Sequence, residues 1–284
     1  MPLVLYVLIA LVASLGALFA HTFSYGDVVL RATIVDDVLE YIHIIEASES
    51  SIEDPVVTVD PSTFDFIEIV NSCGAHFEGG CVRARSGPGE KYPITYYFRE
   101  GIVLAVGGAV EVDGQFWYKI VFKEELRYPS RVMPSMYVAG QHVRGITNAE
   151  LQQVADPHMP EKVIRVSISE QRLRAYDGDV LYMEVPISTG LALSPTTLGT
   201  FTIFKKMPSR YMQGPLKGVT EDEWDLPGVP WNLYFSHEGE VIHGAYWHTK
   251  FGRRASHGCI NLTPKDAEQL YRWAHLATKV VITQ

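Results

Sequence analysis

Basic residues and cysteines are scarce in this sequence. Lys and Arg number 24 against 33 Asp and Glu, so the formal net charge of -9 argues against general nucleic-acid binding. Three cysteines are compatible with one disulfide and one working thiol in an exported chain. A length of 284 residues allows one large or two ordinary domains, each with a full core.

Charge is also absent from the start of the chain. Pro2 to Ala20 is an apolar run without a charged residue, long enough to span a bilayer or to form a long signal h-region. We expect residues 1–22 to be a membrane anchor or signal segment, with a retained anchor favoured. Either interpretation places the protein outside the cytoplasm, in the cell envelope.

Residues 23–79 form an acidic region whose role the sequence does not indicate. Asp27 to Glu78 holds twelve Asp and Glu against one Arg. At its end, Cys73 and Cys81 flank a glycine-rich loop that is flexible enough to close a small ring. We predict a disulfide between them, with two free thiols as the alternative.

Residues 80–143 contain short apolar strands separated by Gly and Pro turns, which predicts a small β-barrel. Val112-Asp113-Gly114 is a hairpin signal between two of these strands. The Arg85-Ser-Gly-Pro-Gly turn and the strand Phe116-Trp-Tyr-Lys resemble the bacterial Src-homology-3-like domain. Modules of that family often hold enzymes on the cell wall, whereas Trp117 and Tyr118 could equally be core residues of a spacer. Residues 144–161 follow as a linker with a short helix from Thr147 or Asn148.

Residues 162–284 predict a second β domain. Alternating apolar residues indicate strands in its first part, and Lys279 to Thr283 indicates a last strand. Thr263-Pro-Lys-Asp266 begins a helix, with Ala267, Leu270, Tyr271 and Ala274 on one face. By contrast, the apolar residues of Lys205 to Gly228 follow neither helical nor strand periodicity. This pattern predicts a functional loop over a cleft. Its larger side chains would cover a substrate or pack beneath the loop; they are Met207, Tyr211, Met212 and Trp224.

Side chains that can act in catalysis are most concentrated between His243 and Asn261. Cys259 becomes a nucleophile when a base accepts its proton, and His243 supplies an imidazole. Apolar residues around both positions predict two short strands that set base and nucleophile side by side. Gly258 has no side chain to block a carbonyl group, so the amides around Cys259 could form an oxyanion hole.

Two plainer interpretations compete for these residues. A cysteine in an apolar run is often a buried hydrophobic side chain, although Ser256-His-Gly258 before this one argues against that. His243, His248, His257 and Cys259 could instead bind zinc. Their spacings match no common zinc signature and no second cysteine is near, so we predict no metal and no cofactor.

The segment resembles the L,D-transpeptidase catalytic domain, whose signature is a histidine, a gap of about fifteen residues, and then Ser/Thr-His-Gly-Cys-apolar-Asn. The resemblance covers about Lys162 to Gln284 and includes Ser188-Thr-Gly and Leu198-Gly-Thr-Phe. It implies a mainly β fold, with the small barrel followed by a β-sandwich-like catalytic domain that has one C-terminal helix. One departure is Thr196-Thr197, where the family commonly has Thr-Pro.

The resemblance also implies roles and substrates. Cys259 would attack a peptidoglycan stem peptide and release D-alanine, with His243 as base and the Gly244 carbonyl holding its other nitrogen. From the residues themselves, we expect the amides of Gly258 and Cys259 to be oxyanion donors, His257 to be a positioning residue of the cleft, and Ser256 and Asn261 to brace the loop. Tyr246 and Trp247 have the shape for a substrate wall and could equally lie in the core, and Met212 is a further candidate substrate contact. Beta-lactams of the carbapenem type are the expected inhibitors.

Other functions remain as alternatives. Water instead of an amine as acyl acceptor would give an L,D-carboxypeptidase. A wall-binding adaptor with a vestigial site would use only the barrel. A sortase-like enzyme lacks support because its Thr-Leu-x-Thr-Cys strand is missing, and a papain-like hydrolase would place its cysteine before its histidine.

Overall fold

The computed structural model describes residues 60–133, 135–152, 161–216 and 220–284 of the chain. Within them the protein is mainly β, as predicted, with three sheets and one helix longer than a single turn. The predicted leader and most of the acidic region lie outside these ranges. None of the described helices has the length and apolar character needed to cross a lipid bilayer.

Seven strands form the first sheet. They are β1 (Phe66–Ile69), β2 (Val82–Arg85), β3 (Ile94–Phe98), β4 (Val103–Val112), β5 (Gln115–Val121), β6 (Tyr137–Ala139) and β7 (Val143–Ile146). Their order is β3-β2-β6-β5-β4-β1-β7, so the sheet is open and the predicted barrel closure is wrong. The reason is β1, which comes from the acidic region, inserts between β4 and β7 and prolongs the sheet.

The hairpin predicted from Val112-Asp113-Gly114 joins β4 to β5. Val112 pairs with Gln115, and the two residues between them have φ values of 52° and 75°. Positive φ at both central positions is the geometry of a type I′ turn, which the Asp-Gly sequence favours.

The predicted disulfide is present. Cys73 and Cys81 are bonded, with their Cα atoms 4.4 Å apart. The loop that they close touches a distant part of the chain, since His76 Nε2 lies 3.2 Å from Thr249 Oγ1. The disulfide loop therefore packs beside the excursion between His243 and Cys259.

Two further sheets follow. The second has five strands, β8 (Lys162–Ser167), β9 (Arg172–Asp177), β10 (Val180–Pro186), β11 (Gly199–Thr202) and β16 (Lys279–Thr283), in the order β10-β9-β8-β16-β11. The third has four strands, β12 (Lys205–Leu216), β13 (Thr220–Tyr234), β14 (Val241–Gly244) and β15 (Ile260–Leu262), in chain order. The strands predicted for the first part of this domain are β8 to β10, and the predicted last strand, Lys279 to Thr283, is β16.

The irregular loop predicted for Lys205 to Gly228 is wrong. Its described residues, 205–216 and 220–228, belong to β12 and β13, which pair as a long antiparallel hairpin. Its register shifts between Arg210 and Met212 and again between Gly214 and Leu216. These irregularities interrupt the alternation that marks a strand, so the sequence pattern conceals the hairpin.

The two later sheets face each other across one core. Buried side chains from the second sheet, such as Ile164 and Leu173, share it with Leu233, Ile242 and Ile260 from the third. The predicted helix, α2 (Pro264–Trp273), follows β15; an earlier short helix, α1 (Asn148–Leu151), follows β7. Thr263 caps α2 by accepting a hydrogen bond from the Asp266 amide, and the predicted face is buried.

The first sheet packs on this core directly. Val103 of β4 and Ile146 of β7 are fully buried within the same cluster as the residues of the two later sheets. A second connection is made by Arg131, whose guanidinium donates to the carbonyl oxygen of Gly214 and lies 3.2 Å from Asp225. The first sheet is thus fixed to the β12–β13 hairpin as well as to the core.

Candidate active site

Strands β14 and β15 bring His243 and Cys259 together. They pair in parallel, with Ile242 opposite Ile260 and His243 opposite Asn261. Cys259 directly precedes β15, and extending this register by one residue places it opposite Val241. Because side chains alternate along a strand and paired residues share a face, His243 and Cys259 point to the same face of the sheet.

The His243 imidazole is buried and oriented by the backbone. Its Nδ1 lies 3.0 Å from the carbonyl oxygen of Gly244, the contact that the family resemblance implies. A carbonyl oxygen only accepts, so Nδ1 carries the proton and Nε2 keeps its lone pair. Nε2 is buried without a hydrogen-bond partner among the described residues. Burial lowers the pKa of His243 to about 4, so the ring is neutral at neutral pH.

Cys259 is a free, partly exposed thiol. Burial raises the pKa of its thiol, and a hydrogen bond from the Val241 amide and the charge of Arg210 oppose that rise. Thiol and imidazole are therefore both neutral at rest. A neutral imidazole with a free lone pair is suited to accept the thiol proton as the sulfur attacks.

Ser256 braces the turn before the cysteine. Its hydroxyl donates to the carbonyl oxygen of Cys259 and accepts a hydrogen bond of 3.2 Å from the Gly258 amide. The Gly258 amide therefore already has one partner within the protein, and its role as an oxyanion donor stays a prediction. Gly258 itself has a φ of +114°, a conformation that disfavours any residue with a side chain.

The Ser188-Thr-Gly190 segment holds the other side of that turn. Ser188 exchanges backbone hydrogen bonds with Asn261, and Leu191 N donates to the carbonyl oxygen of Ser256. These bonds fix the residues on both sides of Cys259 to one strip of backbone. The nucleophile therefore lies on a rigid support.

Asn261 contacts His248 within the same excursion. The side-chain amide of Asn261 lies 3.0 Å from His248 Nε2, and the Lys250 amide donates to Nδ1. His248 is thus a positioned, buried side chain. Among the described residues, no group of three or more His, Cys, Asp or Glu side chains is arranged to hold a metal ion.

A cleft of about 840 Å³ opens above Cys259. His257, Gly258 and Met212 line it, and of these Met212 was a predicted substrate contact. Its other walls are the β12–β13 hairpin and the connection between β5 and β6 of the first sheet. That segment contributes Glu124, Glu125 and Arg127.

Tyr246 and Trp247 do not line this cleft. Tyr246 is buried in the core shared with Val229, where its hydroxyl donates to the carbonyl oxygen of Pro227. Trp247 is half-buried against the same core, with its ring centroid 5.8 Å from that of His243. The shape of these side chains suggested a substrate wall, but their apolar surface is used where the first sheet meets the catalytic strands.

Two charged cleft residues were missed by the sequence analysis. Arg210 on β12 and Glu240 before β14 both lie close enough to influence the Cys259 thiol. Arg210 lies in the segment predicted as a loop, so its direction could not be inferred. Glu240 carried no motif signal beyond its position three residues before His243.

The last part of the chain is similar to known proteins. Residues 161–282 match the family model described as YkuD, the L,D-transpeptidase catalytic domain. A protein of Bacillus licheniformis named as an L,D-transpeptidase, YkuD, is 29% identical over 123 residues, which cover 42% of this chain and 64% of that protein. L,D-transpeptidase 5 of Mycobacterium tuberculosis is 28% identical over 131 residues, or 43% of this chain and 27% of that protein.

The chain thus spans less than two thirds of the length of either relative. Among solved structures, L,D-transpeptidase 3 of Mycobacterium tuberculosis in complex with a faropenem-derived adduct is 17% identical, with a TM-score of 0.42 over 63% of this chain and 98% of that one.

Proposed function

We propose that this protein is a cysteine-dependent L,D-transpeptidase that cross-links peptidoglycan. One observation carries the proposal. A neutral imidazole, tied at Nδ1 to Gly244 and unpartnered at Nε2, shares a sheet face with a free thiol that opens to a cleft. The match of residues 161–282 to the L,D-transpeptidase catalytic domain supports the same reaction.

In the first half-reaction Cys259 attacks the carbonyl carbon of the third stem residue, which is bonded to the nitrogen of the terminal D-alanine. His243 Nε2 accepts the thiol proton, and the C–S bond forms while the carbonyl oxygen gains charge. His243 then gives the proton to the departing nitrogen of D-alanine, the C–N bond breaks, and a thioester remains. Because the Gly258 amide already donates to Ser256, we assign the oxyanion to the Cys259 amide.

In the second half-reaction an amine of another stem attacks the thioester. The new C–N bond forms and the C–S bond breaks, while His243 accepts a proton from the attacking amine and gives it to the departing sulfur, so the thiol is regenerated. A cleft of about 840 Å³ is large enough for a peptide chain and an incoming amine. Its walls include the β12–β13 hairpin, which contributes Met207, Arg210 and Met212.

We place this reaction outside the cytoplasmic membrane. The disulfide between Cys73 and Cys81 supports an oxidising compartment. The apolar run from Pro2 to Ala20 supports export through a leader that anchors the chain to the membrane or is removed. Carbapenem-type beta-lactams mimic the acyl donor and would acylate Cys259 in the same way.

The test is a reaction with purified components. The protein is incubated with a tetrapeptide stem and an amine-bearing stem, and the products are separated and identified by mass. Release of D-alanine with a joined product is expected from the wild type and not from Cys259→Ala. A shortened stem without a joined product would assign water as the acceptor, and no D-alanine release at all would reject the proposal.

A further inference from the structure

Two leucines project from the loop before β11, at the rim of the cleft. Leu191 is 43% exposed and Leu193 is fully exposed. The Ser194 amide donates to the Leu191 carbonyl oxygen at 3.1 Å, so the two side chains lie on one closed turn. Neither joins a hydrophobic cluster of the described part of the chain. Their apolar surface is therefore available to a partner.

The strip of backbone beside this loop is basic. The Ser188 hydroxyl donates to the Lys250 carbonyl oxygen, and the Leu191 amide donates to the Ser256 carbonyl oxygen at 2.9 Å. These bonds hold residues 250–256 alongside the leucine loop. The leucines and the basic residues beside them are called the rim patch, whose members are Leu191, Leu193, Lys250, Arg253 and Arg254.

The rim patch has a charge opposite to that of the whole chain. Residues 187–204 contain no charged side chain, and residues 241–264 contain three basic and no acidic side chains, although the net charge of the chain is -9. The three basic residues form no ion pair with any other residue that the structure describes. A positive field thus surrounds the leucines.

Acidic residues next to these segments are already engaged. Glu170, which precedes the Gln171 that binds Thr189, forms an ion pair of 2.6 Å with Arg174. Glu240 accepts a hydrogen bond from the Thr197 amide at 2.8 Å, and its other carboxylate oxygen is buried. The positive charge of the rim patch is therefore left for a ligand outside the protein.

We propose that the rim patch docks on an anionic lipid surface. The leucines enter the boundary between headgroups and acyl chains, and the basic residues contact the lipid phosphates. Exposed apolar side chains beside Lys and Arg bind such surfaces, and each basic residue near the surface strengthens binding about fivefold. The leucines favour a lipid over a soluble anionic polymer, which offers no apolar phase for them.

The start of the sequence supports a bilayer as the partner. Pro2 to Ala20 is the apolar run interpreted above as an anchor or signal segment, and residues 21–59 join it to the described part of the chain. A tethered chain meets the same bilayer at high effective concentration, so a patch of five residues is enough for docking. The inference depends on the proposed location and not on the proposed reaction.

Docking places one wall of the cleft at the membrane. Ser194 and Pro195 line the cleft and directly follow Leu193 in the same loop. The substrate then enters the cleft beside the bilayer surface.

The test follows a fluorescent label in the full chain. Cys259→Ala removes the free thiol, the disulfide occupies the other two cysteines, and Ala192→Cys places an environment-sensitive dye between the leucines. Vesicles contain phosphatidylcholine alone or an equal mixture with phosphatidylglycerol. A dye at Gln141→Cys, an exposed position on the first sheet, reports effects of the leader alone.

The dye at position 192 is expected to become brighter and blue-shifted in the anionic vesicles, and to do so much less in the neutral ones. The dye at position 141 should respond equally to both. Salt at about 1 M, where the screening length is about 3 Å, should reverse the difference. The docked fraction gives a docking constant for each variant.

Removal of charge tests the basic half of the rim patch. Arg253→Gln combined with Arg254→Gln should lower the docking constant at least tenfold. Arg83→Gln combined with Lys91→Gln removes the same charge from exposed positions on the first sheet and should stay within twofold.

Leu193→Ser tests the apolar half and should lower the docking constant at least fivefold. Leu276→Ser is the matched control, because Leu276 is also exposed and lies outside the rim patch. Far-ultraviolet circular dichroism shows that each variant keeps the fold.

Equal dye responses in the two kinds of vesicle would overturn the proposal, as would folded rim-patch variants that dock like the wild type. A response to soluble poly(glycerol phosphate) as large as the response to vesicles would assign the rim patch to an anionic polymer and overturn the lipid assignment. A response that rises with protein concentration in the absence of vesicles would assign it to a second copy of the chain, with the same consequence.

Discussion

His243 Nδ1 and the carbonyl oxygen of Gly244 lie 3.0 Å apart, so the backbone fixes which nitrogen of the buried ring carries the proton. In many nucleophile–histidine sites a carboxylate has this role. A neutral carbonyl stabilises the imidazolium less than a carboxylate does. The ring is therefore oriented as a base while its pKa stays low.

This relationship sets the pH dependence. Burial lowers the pKa of His243 to about 4, and only the neutral ring accepts a proton. Activity should thus persist as pH falls through 6.5, the ordinary histidine value, and decline about tenfold per pH unit below about 4. The measurement is the rate of Cys259 acylation by a carbapenem between pH 3.5 and 8, with far-ultraviolet circular dichroism to show that the fold persists. An acidic limb centred near 6.5 would contradict the proposed state of the ring.

Replacement of His243 by alanine should slow acylation at least a hundredfold, since general-base contributions are about 10² to 10⁴. Stopped-flow or quenched acylation at neutral pH measures the effect. His237→Ala is the matched control, because that exposed ring stacks on Phe204 and does not line the cleft. A rate for His243→Ala within tenfold of the wild type would remove this residue from the role of base.

Gly258→Ala should lower both stability and acylation. A side chain at a φ of +114° is strained, at roughly 1–3 kcal/mol, and the strain lies next to the nucleophile. Gly252→Ala is the control, because its φ is +90° and an added methyl group there meets no atom within 4 Å. Chemical denaturation should show similar losses for the two variants, and only Gly258→Ala should acylate more slowly. Equal acylation rates would mean that this peptide does not position Cys259.

Arg131→Met should loosen the cleft hairpin. The guanidinium joins the first sheet to Gly214 and Asp225, so its loss frees the wall that carries Met212. Hydrogen exchange should become faster in residues 212–216 and 220–226, and acylation should fall severalfold. Arg85→Met is the control, because Arg85 donates to the Tyr92 carbonyl oxygen within the first part of the chain. Unchanged exchange in Arg131→Met would show that the hairpin is rigid without this contact.

The sequence predicted those parts of the fold whose signals are local. Thr263 and Pro264 mark the start of α2, and the alternation in β8 to β10 shows one buried face. The paired strands around His243 and Cys259 were predicted because both segments are short and apolar. The disulfide followed from two cysteines on a flexible loop.

Contacts that depend on register or on distant packing were not predictable in this way. The β12–β13 hairpin escaped because two register shifts break its alternation. Tyr246 has the composition of a substrate contact, and only the packing of the first sheet shows that it is buried. Glu240 gains its place from the Thr197 amide, a bond between residues 43 positions apart.

Intact-protein mass spectrometry tests the central claim most directly. The wild type, Cys259→Ala and His243→Ala are each incubated with a carbapenem, and the adduct is located by peptide mapping. We predict one adduct per chain on Cys259 in the wild type, none in Cys259→Ala, and slow formation in His243→Ala. An unmodified wild-type protein, or an adduct that persists when Cys259 is replaced, would contradict the account.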